Sequence, residues 1–289
     1  MSEIAIMTDS AACLTKELIE LYGIEIIPLN MLAEGKVFRD GVDITPSQAY
    51  ELLLKNPDSF KTSPPNPMEC LECFRRISQK TRNIFCITLS KKISTFYNVA
   101  LIAKEKALSE LPDIRIELLD SRTATAAQGF IVLSAARAIE DGKSFAEVID
   151  TAERIKEKVS AIVLLDTMSH VYRSGRVPRI AAQAAAVLNI RPIFAVNETV
   201  RFLTAVRSRK QGIERMLKTV KERTKNIPMH CAVMHAYDMA EAQKLKSRVA
   251  AEFNCVELWI SEFSPIMGYA TGTGTLGLAF YTDSEPKGD

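Results

Sequence analysis

The sequence predicts an α/β protein of two domains: a parallel sheet with flanking helices over residues 1–157, a mixed-sheet α/β domain over 158–283, and a disordered tail over 284–289. Three observations carry that reading. Apolar runs of strand length alternate with stretches of helical period through the first half, the pattern of parallel strands joined by crossover helices. The break Asp141-Gly142-Lys143 and the amphipathic stretch Phe145–Lys158 mark a hinge, beyond which the pattern changes and a hairpin enters. Hydroxyl-rich segments punctuate the first half: Thr8-Asp9-Ser10, Thr62-Ser63-Pro64-Pro65, Ser90 through Thr95, and Asp120-Ser121-Arg122-Thr123. Ligands of open α/β sheets bind beyond the carboxyl ends of the strands, where most of these segments fall.

The elements follow in order. Ile4–Met7 reads as a strand, and Thr15–Tyr22 as a helix on the spacing of Leu14, Leu18 and Leu21. Gly23 stops that helix before a strand over Ile24–Leu29. Phe38-Arg39-Asp40-Gly41-Val42-Asp43 is a turn signature, and Thr45 caps a helix from Pro46 to Leu54. The segment Ser63–Pro67 makes a stiff loop before a helix over Met68–Ser78. Strand Ile84–Leu89, helix Phe96–Glu110, strand Ile114–Leu119 and helix Ala124–Ile139 complete the first domain. In the second, Ala161–Leu165 is a strand and Ile180–Val187 an Ala-rich helix; Ile193–Val196 and Val200–Val206 form a hairpin around Asn197-Glu198. Helix Lys210–Thr224, strand His230–His235, helix Ala240–Phe253 and strands Val256–Ser261 and Leu276–Tyr281 close it.

Composition narrows the function. Of 289 residues 47% are apolar and 25% charged, the profile of a soluble globular protein. A net charge of +2 gives no basic field for nucleic acid. No apolar run reaches the ~18 residues of a membrane span. The N-terminus has no basic leader, so cytoplasm is the expected compartment. The six cysteines, at 13, 70, 73, 86, 231 and 255, read as reduced thiols, and Cys70-x-x-Cys73 lies inside a helix as packing rather than as a redox or zinc pair.

Several motifs admit two readings. Gly272-Thr273-Gly274-Thr275-Leu276-Gly277 fits the dinucleotide fingerprint, but a strand follows it where a helix is needed. A turn in which backbone approaches a neighbour closely is the better reading. Asp9 and Asp120, in similar Asp-Ser settings, could run acid/base chemistry or bind a metal, but the stronger reading is that each accepts N–H groups of its own loop. His230 and His235 fall at opposite ends of one strand and cannot easily share a metal. His170 precedes a loop carrying Arg173 and Arg176, which either grips a carboxylate or phosphate or pairs with surface acids. Ser94 opens a helix, with Thr95 beside it, and a helix start serves equally as a cap and as an anion site. With Thr62 and Ser63 as a second hydroxyl pair, the residues describe a carboxylate pocket that binds rather than cleaves.

The same segments, in this order, resemble the DegV family of bacterial fatty-acid-binding proteins, which includes the fatty-acid-binding subunits of bacterial fatty acid kinase. The resemblance spans about residues 3–282. Its parts are Thr8-Asp9-Ser10, Phe38 through Asp43, Lys61 through Pro65, Leu119-Asp120-Ser121 with Gln128-Gly129, Arg173 through Val177, Asn189 through Ile193, and Gly268 through Phe280. It implies one long-chain fatty acid in an apolar tunnel between the domains. The implied contacts are Thr62, Ser63, Ser94, Thr95, Thr271, Arg173 and Arg176, with Thr62 and Ser94 on the head group. No catalytic residue, metal or cofactor beyond the lipid is implied. A separate ATP-binding kinase subunit would phosphorylate the presented carboxylate, with peripheral membrane contact for lipid exchange. The chain departs from the family pattern at Ile93 through Asn98, which loses a Gly, and at Ala270, where the family carries a His. Losing that donor removes about 1–3 kcal/mol, so weaker binding or a shifted head group is expected. The alternatives are a metal-dependent hydrolase or phosphotransferase using Asp9 and Asp120, and a lipid-sensing paralogue with no kinase role.

Overall fold

A computed structural model describes residues 3–176 and 190–284. The expected helix Ile180–Val187, the resemblance positions Val177 and Asn189, and tail residues 285–289 lie outside the described residues.

The first half builds a four-stranded, all-parallel sheet in the order β2-β1-β6-β7, from β1 (Ile4–Asp9), β2 (Glu25–Ile27), β6 (Asn83–Thr88) and β7 (Arg115–Asp120). The second half builds a mixed six-stranded sheet in the order β10-β9-β8-β13-β11-β12. Its strands are β8 (Ser160–Leu164), β9 (Arg191–Val196), β10 (Val200–Val206), β11 (Met229–His235), β12 (Cys255–Glu262) and β13 (Leu276–Thr282). Only the β11–β12 pair is parallel. The expected α/β class and the contrast between the two sheets are both present.

Helices α3 (Pro67–Ser78) and α4 (Phe96–Glu110) pack on the first sheet; α8 (Arg209–Thr224) and α9 (Met239–Glu252) pack on the second. Between the sheets runs α5 (Thr125–Glu140), which touches β1 and β6 of one and β8 and β13 of the other, with α6 (Phe145–Lys158) alongside. Its residues Thr125 through Ala136 are all buried, so no polar face is needed. Burying Phe130, Ile131 and Leu133 contributes about 1.5–3 kcal/mol each. Gly129 is required where α5 crosses the loop after β1, since a Cβ there would stand 2.9 Å from the Ala12 carbonyl oxygen. One apolar core therefore runs through α5 from sheet to sheet, and a second lies between the six-stranded sheet and α8 and α9.

Capping residues set several helix starts. Thr45 and Gln48 form a capping box at α2 (Pro46–Lys55), Asn66 and Glu69 at α3, and Ser144 and Glu147 at α6. Three expectations need correction. Ile24–Leu29 is not one strand: β2 ends at Ile27, and the chain turns into a small antiparallel sheet, β4-β3-β5, of β3 (Asn30–Ala33), β4 (Lys36–Arg39) and β5 (Lys61–Ser63). Glu34 and Gly35, both at positive φ (50° and 76°), form its two-residue hairpin turn. The stiff loop expected at Ser63–Pro67 is bounded by structure, for Ser63 ends β5 and Pro67 opens α3. The segment after Ser169, expected as a loop, is helical through Ser174 (α7, Ser169–Ser174), and Pro265–Thr271 forms α10.

Hydrogen bonds tie the halves together. Tyr50 Oη donates to the Phe263 carbonyl at 2.8 Å, Ser261 Oγ to the Cys13 carbonyl at 2.7 Å, and Ser90 Oγ to the Glu198 carbonyl at 2.6 Å.

Candidate functional site

A cavity lies where the carboxyl end of the parallel sheet meets the six-stranded sheet. From the first half come Leu29, Thr62 and Ser63 of β5, Pro64, the segment after β6 (Leu89, Ile93, Ser94) and Thr125 at the start of α5. The second half contributes Val163 and Leu165, α7 and Arg176, Phe194, Val196 and Val200 of the hairpin, Phe263, and the inner face of α10 from Ile266 to Thr271. The cavity holds about 860 Å³ of space, part of it open to solvent, and its wall is mostly apolar, which suits an aliphatic chain rather than a compact polar metabolite.

The polar groups gather on one part of this apolar wall. Arg176 is partly buried; its Nη2 donates to Thr62 Oγ1 at 3.2 Å and its Nη1 to the Ser174 carbonyl at 3.0 Å. No carboxylate pairs with it among the described residues. Burial pushes its pKa below the ordinary value, yet a guanidinium stays charged. Ser94 Oγ accepts the Phe96 N–H at 3.2 Å, so it satisfies the helix start, although Thr95 is the residue at the N-cap position and makes no cap bond. The oxygens of Thr62 and Ser94 thus already accept, which leaves each O–H as a donor. Two free hydroxyl donors and an uncompensated guanidinium converge on an apolar lumen, the chemistry of a receptor for a carboxylate with a long apolar body.

The other expected contacts separate into groups. Ser63 lines the cavity. Thr271 lines it too, but its O–H donates to the Met267 carbonyl at 3.1 Å and is already in use. Thr95 is exposed and does not line it. Arg173 turns away, with its Nε 2.9 Å from Asp58 Oδ1 and its Nη1 3.4 Å from His170 Nδ1. Ala270 stands in the wall, and no histidine lines the cavity among the described residues. Thr125 was not expected. It sits in the cavity wall at φ 62° and 1% exposed, a left-handed conformation that costs a β-branched residue about 1–3 kcal/mol. Nothing local in the sequence signals it.

The two aspartates shape loops. Asp9 accepts from Leu89 N at 2.8 Å, Ala11 N at 3.0 Å and Gln128 Nε2 at 2.9 Å, and burial raises its pKa to about 6. Asp120 accepts from Lys91 N and Arg122 N at 3.2 and 3.0 Å. No group of three His, Cys, Asp or Glu residues is placed to hold a metal among the described residues. Cys70 is buried in α3, and His230 pairs with Glu257 at 2.6 Å at the far end of β11 from His235. The Gly272–Gly274 turn is a close-approach site: a Cβ would fall 2.4 Å from His170 at Gly272 and 2.5 Å from Asp166 at Gly274. No helix among the described residues is long and apolar enough to cross a membrane.

Comparison with known proteins gives a consistent result. A family model described as "Uncharacterised protein, DegV family" matches residues 3–283. A DegV domain-containing protein of Clostridium perfringens is 31% identical over 284 residues, covering 97% of this chain and 99% of that one. The crystal structure of DegV from Bacillus subtilis, described as a fatty acid binding protein, has a TM-score of 0.86 at 29% identity, covering 98% of this chain and all (100%) of its own. A DegV family protein from Thermus thermophilus, solved for its fatty acid binding, has a TM-score of 0.87 at 24% identity, covering 98% and 100%, a likeness of fold.

Proposed function

Because the chain belongs to the DegV family, we propose that it is a non-catalytic fatty-acid-binding protein whose tunnel, between residues 1–157 and 158–283, holds one long-chain acid. The observation that carries this reading is Arg176: a partly buried cation without a counter-ion among the described residues, beside two hydroxyl donors, at an otherwise mostly apolar lumen. The carboxylate takes the Arg176 guanidinium together with the Thr62 and Ser94 hydroxyls, and Ser63 flanks them. Each buried methylene adds about 0.8 kcal/mol, so the acyl chain supplies most of the affinity and the head group sets orientation.

Cytoplasmic location, lipid exchange at a membrane surface and presentation of the bound carboxylate to a separate ATP-using kinase subunit extend the same reading. The relatives described as fatty acid binding support its first part.

The test is direct. Protein purified under native conditions is extracted and its lipid identified by mass spectrometry, in parallel with Arg176→Ala. One fatty acid per wild-type chain, lost from the variant, is the expected result. A lipid-free protein that also fails to take up added stearate, or equal retention by both proteins, sinks the proposal. The kinase extension is measured separately, by ATP-dependent acyl-phosphate formation when a fatty acid kinase subunit is added; holding without transfer removes that extension alone.

A further inference from the structure

His230, on β11, is 8% exposed and lies between two carboxyl groups. Its Nδ1 stands 2.6 Å from Glu257 Oε1 on β12, and its Nε2 stands 3.1 Å from Asp283 Oδ2, just past the end of β13. Tyr281 of β13 stacks on the ring, with centroids 4.3 Å apart and planes 5° from parallel. Glu257 is also gripped from the first half of the chain. Arg137 of α5 donates to both of its oxygens, at 2.8 and 2.6 Å, and Arg137 Nε donates to Tyr22 Oη, at the end of α1 (Lys16–Tyr22), at 3.3 Å. Lys158, at the end of α6, donates to the Asp283 carbonyl.

A neutral imidazole has one N–H, so it satisfies one carboxylate and turns a lone pair on the other. Both ring nitrogens of His230 face carboxylate oxygens at hydrogen-bond distance, which only the doubly protonated ring accommodates. Burial lowers the pKa of a histidine, but here the bonds to Glu257 and Asp283 outweigh it and raise the pKa above the ordinary 6.5. The two carboxylates are held unequally. Glu257 keeps both Arg137 bonds whatever the ring does, whereas the Asp283 side chain is 71% exposed and turns into water at little cost.

We propose that His230 is a proton-operated latch on the end of β13: as the imidazolium it holds the Asp283 carboxylate, and on losing the Nε2 proton to water it keeps Glu257 through Nδ1–H and lets Asp283 go. Among the described residues, Lys158 is then the side chain from outside the segment that still holds it. The contribution of the latch to stability is complete just below the ordinary histidine value of 6.5 and is lost as pH rises through the raised one. His230, Glu257 and Asp283 do not line the tunnel, so the latch is independent of whether a lipid is bound.

Nuclear magnetic resonance on the full chain tests it, following the imidazole nitrogens of the three histidines from pH ~5 to ~9. His230 should titrate at the highest pH of the three, since burial lowers His170 and His235. Above that pH its remaining proton should sit on Nδ1. Asp283→Asn, at an exposed position, should fold and move the His230 titration to lower pH, while Asp113→Asn, exposed in the loop before β7, leaves it in place. In urea unfolding, Asp283→Asn should lower the folding equilibrium constant about threefold at pH ~6 and not lower it at pH ~9. A His230 titration no higher than that of His170 or His235, a proton left on Nε2 instead, a titration unmoved in Asp283→Asn, or the same stability loss at both pH values would each overturn the proposal.

Discussion

The two cavities that share Phe263 are electrostatic opposites. The tunnel is apolar, and its one charged lining residue, Arg176, has no acid partner among the described residues; the cleft beside it is lined by four carboxyl groups (Asp9, Glu17, Asp40 and Glu262) and by Lys16. Both use residues of hydroxyl-rich segments that follow strand ends, Ile93 and Ser94 in the tunnel and Asp9 and Ser10 in the cleft. Ser and Thr suit either sign, since a hydroxyl both donates and accepts. What a site selects is decided by which charge is left without a partner, and that is a property of the assembled neighbourhood.

The largest effect is expected at the shared wall. Phe263 is fully buried, so Phe263→Ala should cost about 3–5 kcal/mol in urea unfolding and open one cavity into the other. A loss under ~1 kcal/mol would mean that the wall is not a packed element of the core. Next comes Arg176→Ala, which should weaken fatty acid binding about a hundredfold, because a partly buried charge pair loses one member. A change below ~3-fold would move the head group elsewhere.

The cleft should answer to pH in the opposite sense from a salt-bridged site. Asp9 and Asp40 ordinarily titrate near 3.8, and burial raises both to about 6. Below pH ~4 each is protonated in folded and unfolded chains alike. As pH rises from ~4 through ~6 the unfolded chain releases its protons first, so stability falls across that window and stays low above it. Asp40→Asn should therefore raise stability by about 1–3 kcal/mol at pH 8 and change little at pH 4, measured by thermal unfolding. Equal stability of variant and wild type at pH 8 would show the carboxylate already compensated. The smallest effects belong to the hydroxyls: Ser94→Ala and Thr62→Val should each weaken fatty acid binding about tenfold with the fold intact. Unchanged lipid occupancy in both would leave Arg176 as the sole head-group contact.

Much of this architecture is legible locally. The alternation from Ile4 to Ile139, the cap at Thr45, and the hairpin of Ile193–Val196 and Val200–Val206 rest on periodicity and on residues close to one another in the chain. The small sheet of Asn30–Ala33, Lys36–Arg39 and Lys61–Ser63 escaped, since its strands of three and four residues show no period and β5 joins from a distance. Its one local signal is the Glu34-Gly35 turn. The Arg173-to-Arg176 segment was legible as a cationic element, but only the fold separates Arg173, paired with Asp58, from Arg176, which pairs with no acid among the described residues.

By itself the sequence determined the order of strands and helices, the absence of a basic field, and the placing of hydroxyls at strand ends, all set by nearest-neighbour sterics and hydrophobic period. The tertiary structure alone decided that Thr62, Ser94 and Arg176 meet, that Asp40 is buried beside an open cavity, and that one phenylalanine divides a cationic tunnel from an acidic cleft. Burial and ion pairing depend on residues far apart in the chain, and no local pattern encodes a partner that is missing.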